Sequence, residues 1–309
     1  MARETAVSVE HIRLAAEPPR EPSHLRLLLR ALKRRPPALC SLAVVALVTF
    51  MAIAPGWFAP LDPLDQDLLR YMQPPGYVDE AGQTYWLGTD EQGRDILSRI
   101  IWGARISLMV GATTVLVSGL IGVTIGLIAG YFGGWIDTIC SRIIDTFLAV
   151  PFILLAISLV AILGPSLQNI IVVIALRTWI VYARVVRGEV LSLKEREFVV
   201  GAQAVGCQTL RILTRYLLPS VMSSAIVIAT LYLGRMIIIE SALSFLGLGV
   251  PPPIPTWGGI MAEGRNFLDT AWWITLFPGL VLMSVVLAVN LLGDWLRDVL
   301  DPRMKRLAE

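Results

Sequence analysis

The chain has 309 residues, of which 55% are hydrophobic and only 16% are charged. Soluble domains carry about 25% charged residues, so this composition and the mean hydropathy of +0.68 predict a membrane protein built as one bundle. The net charge of +2 indicates no nucleic-acid partner. The three cysteines are widely spaced, and both histidines precede the first apolar run. We therefore expect no disulfide framework and no metal site.

Six apolar runs reach the roughly 20 residues that a membrane-spanning helix requires. They lie at residues 38–58, 106–131, 136–163, 167–186, 217–239 and 271–296. The sequence thus predicts an all-α polytopic membrane protein with six transmembrane helices. A polar arm of more than thirty residues precedes the first run, so we expect that run to be an uncleaved span rather than a signal peptide.

Proline and glycine modify this pattern at three places. Pro151 is expected to kink the third span, and Pro278-Gly279 interrupts the sixth. Glycines at 119, 122, 126 and 130 recur at three- or four-residue spacing along the second span, which indicates close packing against another helix.

The distribution of basic residues indicates on which side of the membrane each loop lies. They cluster before the first span, between residues 184 and 215, and after the sixth span. The positive-inside rule then places both termini and the central loop in the cytoplasm. Within the N-terminal arm, residues 1–37, the leucines from Leu25 to Leu32 have helical spacing. They are consistent with either a short interfacial helix or a solvated tail.

The central connection, residues 188–217, is the longest polar gap between the central apolar runs. A small-residue helix is expected to end at Gly206, where glycine can adopt the left-handed conformation. A second short helix follows, and Pro219 starts the next run. Such a helix-turn-helix, anchored by spans on both sides, would present a rigid knob to a partner in water.

Two outer segments carry distinctive patterns. In the first, Thr89 and Gln92 have the spacing of a capping box, and Asp95 is placed to cap an amphipathic helix lying on the outer surface. In the second, residues 244–252 are too rich in glycine and proline for a regular helix, so they must be covered by protein or face water. A short outer helix is expected within residues 257–267.

Three charged residues fall within or at the edge of predicted spans: Arg177, Arg235 and Glu240. A charge at mid-bilayer costs about 2.5–3.5 kcal/mol on insertion scales, so these side chains are expected to face protein or water. They are candidates for lining a solute path. The alternatives are a structural ion pair, with Glu240 bound to a basic neighbour, or snorkelling near an interface.

These motifs resemble those of a known family. The pattern of Ala202, Gly206 and residues 212–219 resembles the "EAA" loop of permease subunits of bacterial ABC importers, although the motif glutamate falls on Val200 and its first alanine on Gly201. Residues 88–108, 245–266 and 290–303 resemble the second membrane subunit of peptide (and nickel) importers. The resemblance covers roughly residues 26–303 and implies the type I, MetI-like permease fold.

The resemblance also implies site residues and partners. In the family the central loop docks on an ATPase subunit, and it is matched here by Glu197, Phe198, Val199, Val200, Gly201, Ala202, Ala204, Gly206, Leu210 and Pro219. The outer signature comprises Gly88, Asp90, Gly93, Arg94 and Asp95. The chain has no P-loop motif and would itself catalyse nothing. ATP and Mg²⁺ would bind two partner ATPase subunits.

The remaining implied partners are a second permease subunit, an extracytoplasmic solute-binding protein and membrane lipid, in a bacterial plasma (inner) membrane. The expected division is an arm (1–37), the first span with its outer segment (38–100), a permease core (101–300) and a tail (301–309).

Other functions remain open from the residues alone. The cargo is expected to be di- or oligopeptides, with nickel or another small solute as the alternative. An ion-coupled secondary transporter would need a coupling carboxylate, for which Glu240 or Asp145 are available. However, no pair of broken helices with matching polar sites is evident. A membrane scaffold would explain the hydrophobicity but not the central loop.

Overall fold

The computed structural model describes residues 35–300, and the expected helix around Leu25–Leu32 and the tail 301–309 lie outside them. The helices are α1 (Pro36–Ile53), α2 (Pro55–Phe58), α3 (Ile96–Phe132), α4 (Gly134–Ala149), α5 (Phe152–Leu163), α6 (Leu167–Leu193), α7 (Glu197–Ala204), α8 (Thr209–Ile212), α9 (Leu218–Phe245), α10 (Trp257–Gly264) and α11 (Trp273–Leu300). A π-helical segment, Leu213–Leu217, joins α8 to α9 without a break.

The segment between α2 and α3 is largely irregular. It contains a 3-10 turn, Leu68–Arg70, and a small antiparallel hairpin of β1 (Tyr77–Val78) and β2 (Thr84–Tyr85). In this hairpin Tyr77 lies opposite Tyr85 and Val78 opposite Thr84. A second 3-10 turn, Arg265–Phe267, follows α10.

The architecture is that of an all-α polytopic membrane protein. Within residues 35–300, five helices are long and apolar enough to span a membrane, and there are six spans when the bent pair of α4 and α5 is counted as one. The two members of that pair meet at 89°. Pro151 therefore breaks the third span rather than merely kinking it. The chain turns at Val150 and Pro151, both of which have extended backbone ψ angles.

Two expectations about the spans were wrong. The expected amphipathic surface helix after Asp95 is instead the first part of α3, a single helix of 37 residues. Its residues Ile96, Ile100 and Ile101 are buried against protein, so they do not lie on a membrane surface. The sixth span is not interrupted either, because Pro278 lies inside the continuous helix α11.

Helices α3 and α6 form the most extensive contact between helices in the described residues, with the glycines of α3 at its centre. A β-carbon built on Gly122 would lie 2.3 Å from the carbonyl oxygen of Trp179, and one on Gly126 would lie 2.8 Å from that of Ala183. A β-carbon on Gly130 would lie 2.8 Å from the β-carbon of Val190. The predicted packing role of this glycine series is thus confirmed at three positions. Only glycine permits so close an approach of the two backbones.

This contact generates a first prediction. Gly122→Ala should destabilise the protein by about 1–3 kcal/mol, since the added methyl group overlaps backbone that cannot move independently. The matched control is Gly119→Ala, where the nearest atom is a ring carbon of Tyr182 at 3.6 Å. Thermal melting of both variants in detergent should separate them. Equal melting temperatures would contradict the proposed tight packing.

Candidate functional site

The connection between α6 and α9, which we term the elbow (residues 194–217), lies at the far end of α3 from the outer segment. Lys194 at the end of α6 donates a hydrogen bond to the carbonyl of Gly130, near the end of α3, at 3.3 Å. The guanidinium of Arg187 forms two hydrogen bonds with the Asp137 carboxylate of α4, one of them at 2.6 Å. These polar contacts fix the base of the elbow against the bundle.

One face of the elbow is anchored in a hydrophobic cluster. Val199 is fully buried and Ala202 is 8% exposed, and both pack with Ile212, Leu217 and Val221. The resemblance places Val199 and Ala202 in the loop that docks on an ATPase. In the structure their side chains face the bundle. A charge at Ala202 would therefore disturb the elbow itself before any partner.

The opposite face of the elbow is exposed and apolar. Phe198 is 45% exposed, Val200 49%, Val205 82% and Leu210 70%. Glu197, Gly201 and Ala204 of the elbow are also exposed, as is Pro219 just after it in α9. The residues assigned to this site from the sequence did not include Val205, the most exposed of the four large side chains. Four large apolar side chains exposed within one short connection favour a contact with another protein.

The turn within the elbow has the geometry that the sequence predicted. Gly206 has φ = +76°. Its N–H bonds to the carbonyl of Gln203, and the N–H of Cys207 bonds to that of Ala202, both at 3.0 Å. This is the Schellman pattern that ends a helix at glycine. Farther on, the π-helical segment precedes Pro219, whose missing N–H disrupts regular helical bonding.

A substitution at the turn tests its role. Gly206→Val should strain the left-handed turn by about 1–2 kcal/mol and tilt the apolar face. For the ATPase-docking role that the resemblance implies, we therefore expect ATP hydrolysis and solute uptake to become uncoupled. The matched control is Gly201→Ala, because Gly201 is helical with open space around it. Uptake per ATP hydrolysed in proteoliposomes is the measurement, and unchanged coupling in Gly206→Val would count against this role.

At the other end of α3, the outer signature forms a buried ion cluster. Asp90, Arg94 and Arg99 are each at most 2% exposed. Arg94 binds the Asp90 carboxylate at 2.7 Å and Glu263 of α10 at 2.9 Å. Arg99 binds Glu263 at 2.5 Å and also contacts Asp90. Two cations and two anions thus balance one another and join α3 to α10.

The signature glycines permit the fold of this segment. Gly88 and Gly93 have φ of +81° and +73°. A β-carbon on Gly93 would lie 1.9 Å from the carbonyl oxygen of Asp67. The expected capping box does not form. Instead, the Thr89 hydroxyl accepts a hydrogen bond from the N–H of Gln73, at 2.7 Å.

Asp95 caps α3 as predicted, since its carboxylate accepts the N–H of Ser98 at 2.8 Å. Burial raises the pKa of the Asp95 carboxyl. Burial also raises the pKa of Glu91, and the neighbouring negative charges of Glu263 and Asp90 raise it further. Sequence reasoning missed Arg99 and Glu263. The only available signal was their charge, because Glu263 is 164 residues from its partner Arg99.

Breaking this cluster should be costly. Arg99→Gln leaves buried carboxylates with one cation fewer, so we expect a loss of about 3–5 kcal/mol of stability. The control is Arg35→Gln, which removes the pair with Asp298, whose side chains are 52% and 43% exposed. That variant should lose less than about 1 kcal/mol. Melting of the purified protein distinguishes them, and comparable small losses would contradict the assigned role.

The three charges within the spans have different surroundings. Arg177 donates to the carbonyl of Phe147 at 3.0 Å. Phe147 is four residues before Pro151, which has no N–H to offer that carbonyl. Arg177 thus completes the hydrogen bonding of the broken span, which supports the structural alternative over a path-lining role.

Glu240 is fully buried and bonds Ser244 at 2.8 Å and Ser107 at 3.1 Å. Among the residues described it has no basic partner, so the ion pair considered from the sequence is not formed. Arg235, by contrast, is exposed on α9. Its guanidinium lies 5.4 Å from the ring centre of Tyr232, and no carboxylate within residues 35–300 pairs with it.

The fold and the two ends of α3 define a class: a multi-pass membrane protein with an exposed helical connection at one end of this helix and a buried ion cluster at the other. Residues 122–306 match the model of the binding-protein-dependent transport system inner membrane component family. Residues 23–75 match the N-terminal transmembrane domain of oligopeptide transport permease C.

Several curated proteins are similar over most of their length. A dipeptide transport system permease protein of Alkalihalophilus pseudofirmus is 45% identical over 89% of both chains. A di/tripeptide transport permease of Pseudomonas aeruginosa is 40% identical over 93% of this chain and 95% of the relative. A glutathione transport permease of Pectobacterium atrosepticum is 43% identical over 81% and 82%. The chain therefore belongs to the family of binding-protein-dependent transport inner membrane components, which are permease subunits of transporters.

Proposed function

We propose that this chain is one permease subunit of a bacterial ATP-driven importer whose cargo is di- or oligopeptides. Similar proteins are named for dipeptide, di/tripeptide and glutathione transport, which supports a peptide cargo. The observation that carries the proposal is the exposed apolar face of the elbow. A surface of this kind, at the end of a membrane bundle, suits a separate protein that pushes against it.

The partner at the elbow would be an ATPase subunit. Helix α3 has 37 residues, or about 55 Å at 1.5 Å per residue, which exceeds the roughly 30 Å of a bilayer's hydrocarbon core. The elbow and the outer ion cluster lie at opposite ends of this helix and hence on opposite sides of the membrane. Basic residues surround the elbow, which favours the cytoplasm, where ATP and Mg²⁺ would bind two ATPase subunits.

The described ends of the chain support the same orientation. Arg35, just before α1, pairs with Asp298 in the last turn of α11 at 2.5 Å. The first and last spans therefore begin and end on the same side, together with the basic clusters that flank them. Both termini would be cytoplasmic, in the plasma (inner) membrane of a bacterium.

An open groove marks the proposed half of the cargo path. It has a volume of about 630 Å³ and lies between α6, α9 and α11. Ser220, Ser223, Ser224 and Leu231 line it from α9. Arg235 follows on the same stripe of α9, one turn after Leu231, and it is exposed. A second permease subunit would close this groove, and a solute-binding protein would deliver peptide from outside.

Transport would then be a shift between two conformations. Closure of the ATPase dimer favours one position of the elbow, and the helices attached to it carry the change to the groove. In this mechanism the chain itself makes and breaks no covalent bond. Its elbow couples the motion of the ATPase to that of the spans. The α9 residues that line the groove, with Arg235, contact the cargo or the water around it.

A pair of arginine variants tests the path. Arg235→Gln should reduce ATP-dependent dipeptide uptake about tenfold with the assembly intact, since a hydrogen bond to a charged group contributes about 1.5–3 kcal/mol. Arg177→Gln should instead reduce assembly, because it leaves the Phe147 carbonyl unpaired. Uptake into proteoliposomes and co-purification of subunits are measured separately. If Arg235→Gln impairs assembly without a specific transport defect, its role in the cargo path is contradicted. If the wild-type assembly imports no peptide, the proposed cargo is contradicted.

A further inference from the structure

The segment between α2 and α3 has an unusual charge. Residues 60–95 hold eight acidic and only two basic side chains, so the segment carries a net charge of −6. Neither base is available at the surface. Arg94 belongs to the buried ion cluster, and Arg70, whose side chain is 14% exposed, contacts Asp65, Asp67 and the hydroxyl of Tyr85. The outer surface of this segment is therefore acidic.

Two leucines project from this acidic surface. Leu68 is 76% exposed and Leu69 is 86% exposed. They form the 3-10 turn with Arg70, and Asp67 caps that turn by accepting the N–H of Leu69 at 3.0 Å. Two adjacent leucines held in water on a folded turn lose apolar burial without compensation, unless a partner covers them.

The turn is held in place by the outer signature. The N–H of Asp67 bonds to the carbonyl of Gln92 at 3.2 Å, and that of Met72 bonds to the carbonyl of Asp90 at 3.0 Å. Gly93 allows the close approach of Asp67 described above. Because the turn is braced on both sides, the two leucines are preorganised, which lowers the entropic cost of binding a partner.

The charges select the kind of partner. Asp62 and Asp65 lie beside the leucines in sequence and are exposed. Peripheral segments that bind lipid surround their apolar residues with lysine and arginine, so aspartates here oppose insertion into the headgroups. Trp57, 82% exposed at the end of α2, is the kind of residue found at a membrane interface, and the leucines follow it by eleven residues. A soluble protein fits better than lipid.

We propose that Leu68, Leu69, Asp62 and Asp65 form a docking patch for the extracytoplasmic solute-binding protein, on a surface of that protein that is apolar with a basic rim. This inference rests on the proposed function, because that function supplies the partner. It goes further by naming the surface and its charge. Apolar anchors give affinity, and the aspartates give orientation and a salt-dependent association rate.

The test uses the complete assembly in lipid nanodiscs and the solute-binding protein that stimulates its ATPase. One variant is Leu68→Ser with Leu69→Ser, and a second is Asp62→Asn with Asp65→Asn. The control is Leu268→Ser with Asp269→Asn, a leucine–aspartate pair exposed on another outer loop. Melting temperature shows that each variant is folded. The affinity of the binding protein is measured at low and high salt.

We expect the leucine variant to bind about tenfold more weakly or worse, the aspartate variant to lose most of the salt dependence, and the control to match wild type. Unchanged affinity in both patch variants would overturn the inference while leaving the importer assignment in place. A photo-crosslink from position 69 to lipid or to the second permease, rather than to the binding protein, would also overturn it. If no solute-binding protein stimulates the wild-type assembly, the proposed function fails and the patch inference fails with it.

Discussion

The contact between α3 and α6 is the constraint on which the rest of the structure depends. Three glycines bring the two backbones within reach of each other over about two helical turns, at a distance that a side chain would prevent. Helix α3 carries the outer ion cluster at its first turns, and α6 leads directly into the elbow. The pair therefore links the outer ion cluster to the elbow through one closely packed contact.

The charged groups in the outer segment and the spans fall into two kinds: those that are buried or bonded within the protein, and one that is exposed. The outer cluster pairs two carboxylates with two guanidinium groups, although Arg99 Nε has no hydrogen-bond partner, and these balanced charges join α10 to α3. The buried carboxylate of Glu240 is also hydrogen-bonded within the protein, and its partners are serine hydroxyls from α3 and α9. Arg177 completes the bonding of the break at Pro151. Arg235 donates to the hydroxyl of Tyr232, less than one turn away on α9, at 3.5 Å, and it is the exposed member of the three.

Much of the fold followed from hydropathy and from single glycines and prolines. The spans were evident because each must bury its backbone polar groups in lipid as a helix, whatever its neighbours. The conformation of Gly206 was also predictable, because it depends on the local chain and not on distant contacts. The cap at Asp95 was likewise local, although the helix that it begins extended far beyond the expected surface segment.

The sequence was uninformative or misleading where contacts between distant residues determine the structure. Whether Val199 and Ala202 face inward depends on Ile212 and Leu217 across the turn, and helical spacing alone does not show which face meets the bundle. Glu263 joined the outer signature only through the folding of α10. The right angle between α4 and α5 was underestimated because a proline can produce anything from a kink to a full break, and packing of α5 on α6 sets the outcome.

The central claim is that the elbow is pushed by a separate ATPase on the side opposite the ion cluster. Its most direct measurement is photo-crosslinking from Val205, which is 82% exposed on the elbow, and from Trp86, which is 64% exposed in the outer segment, in membranes that contain the working assembly. We predict an adduct with an ATPase subunit from Val205 and none from Trp86. An assembly that still transports but gives no ATPase adduct at Val205, or gives one at Trp86, would contradict the account.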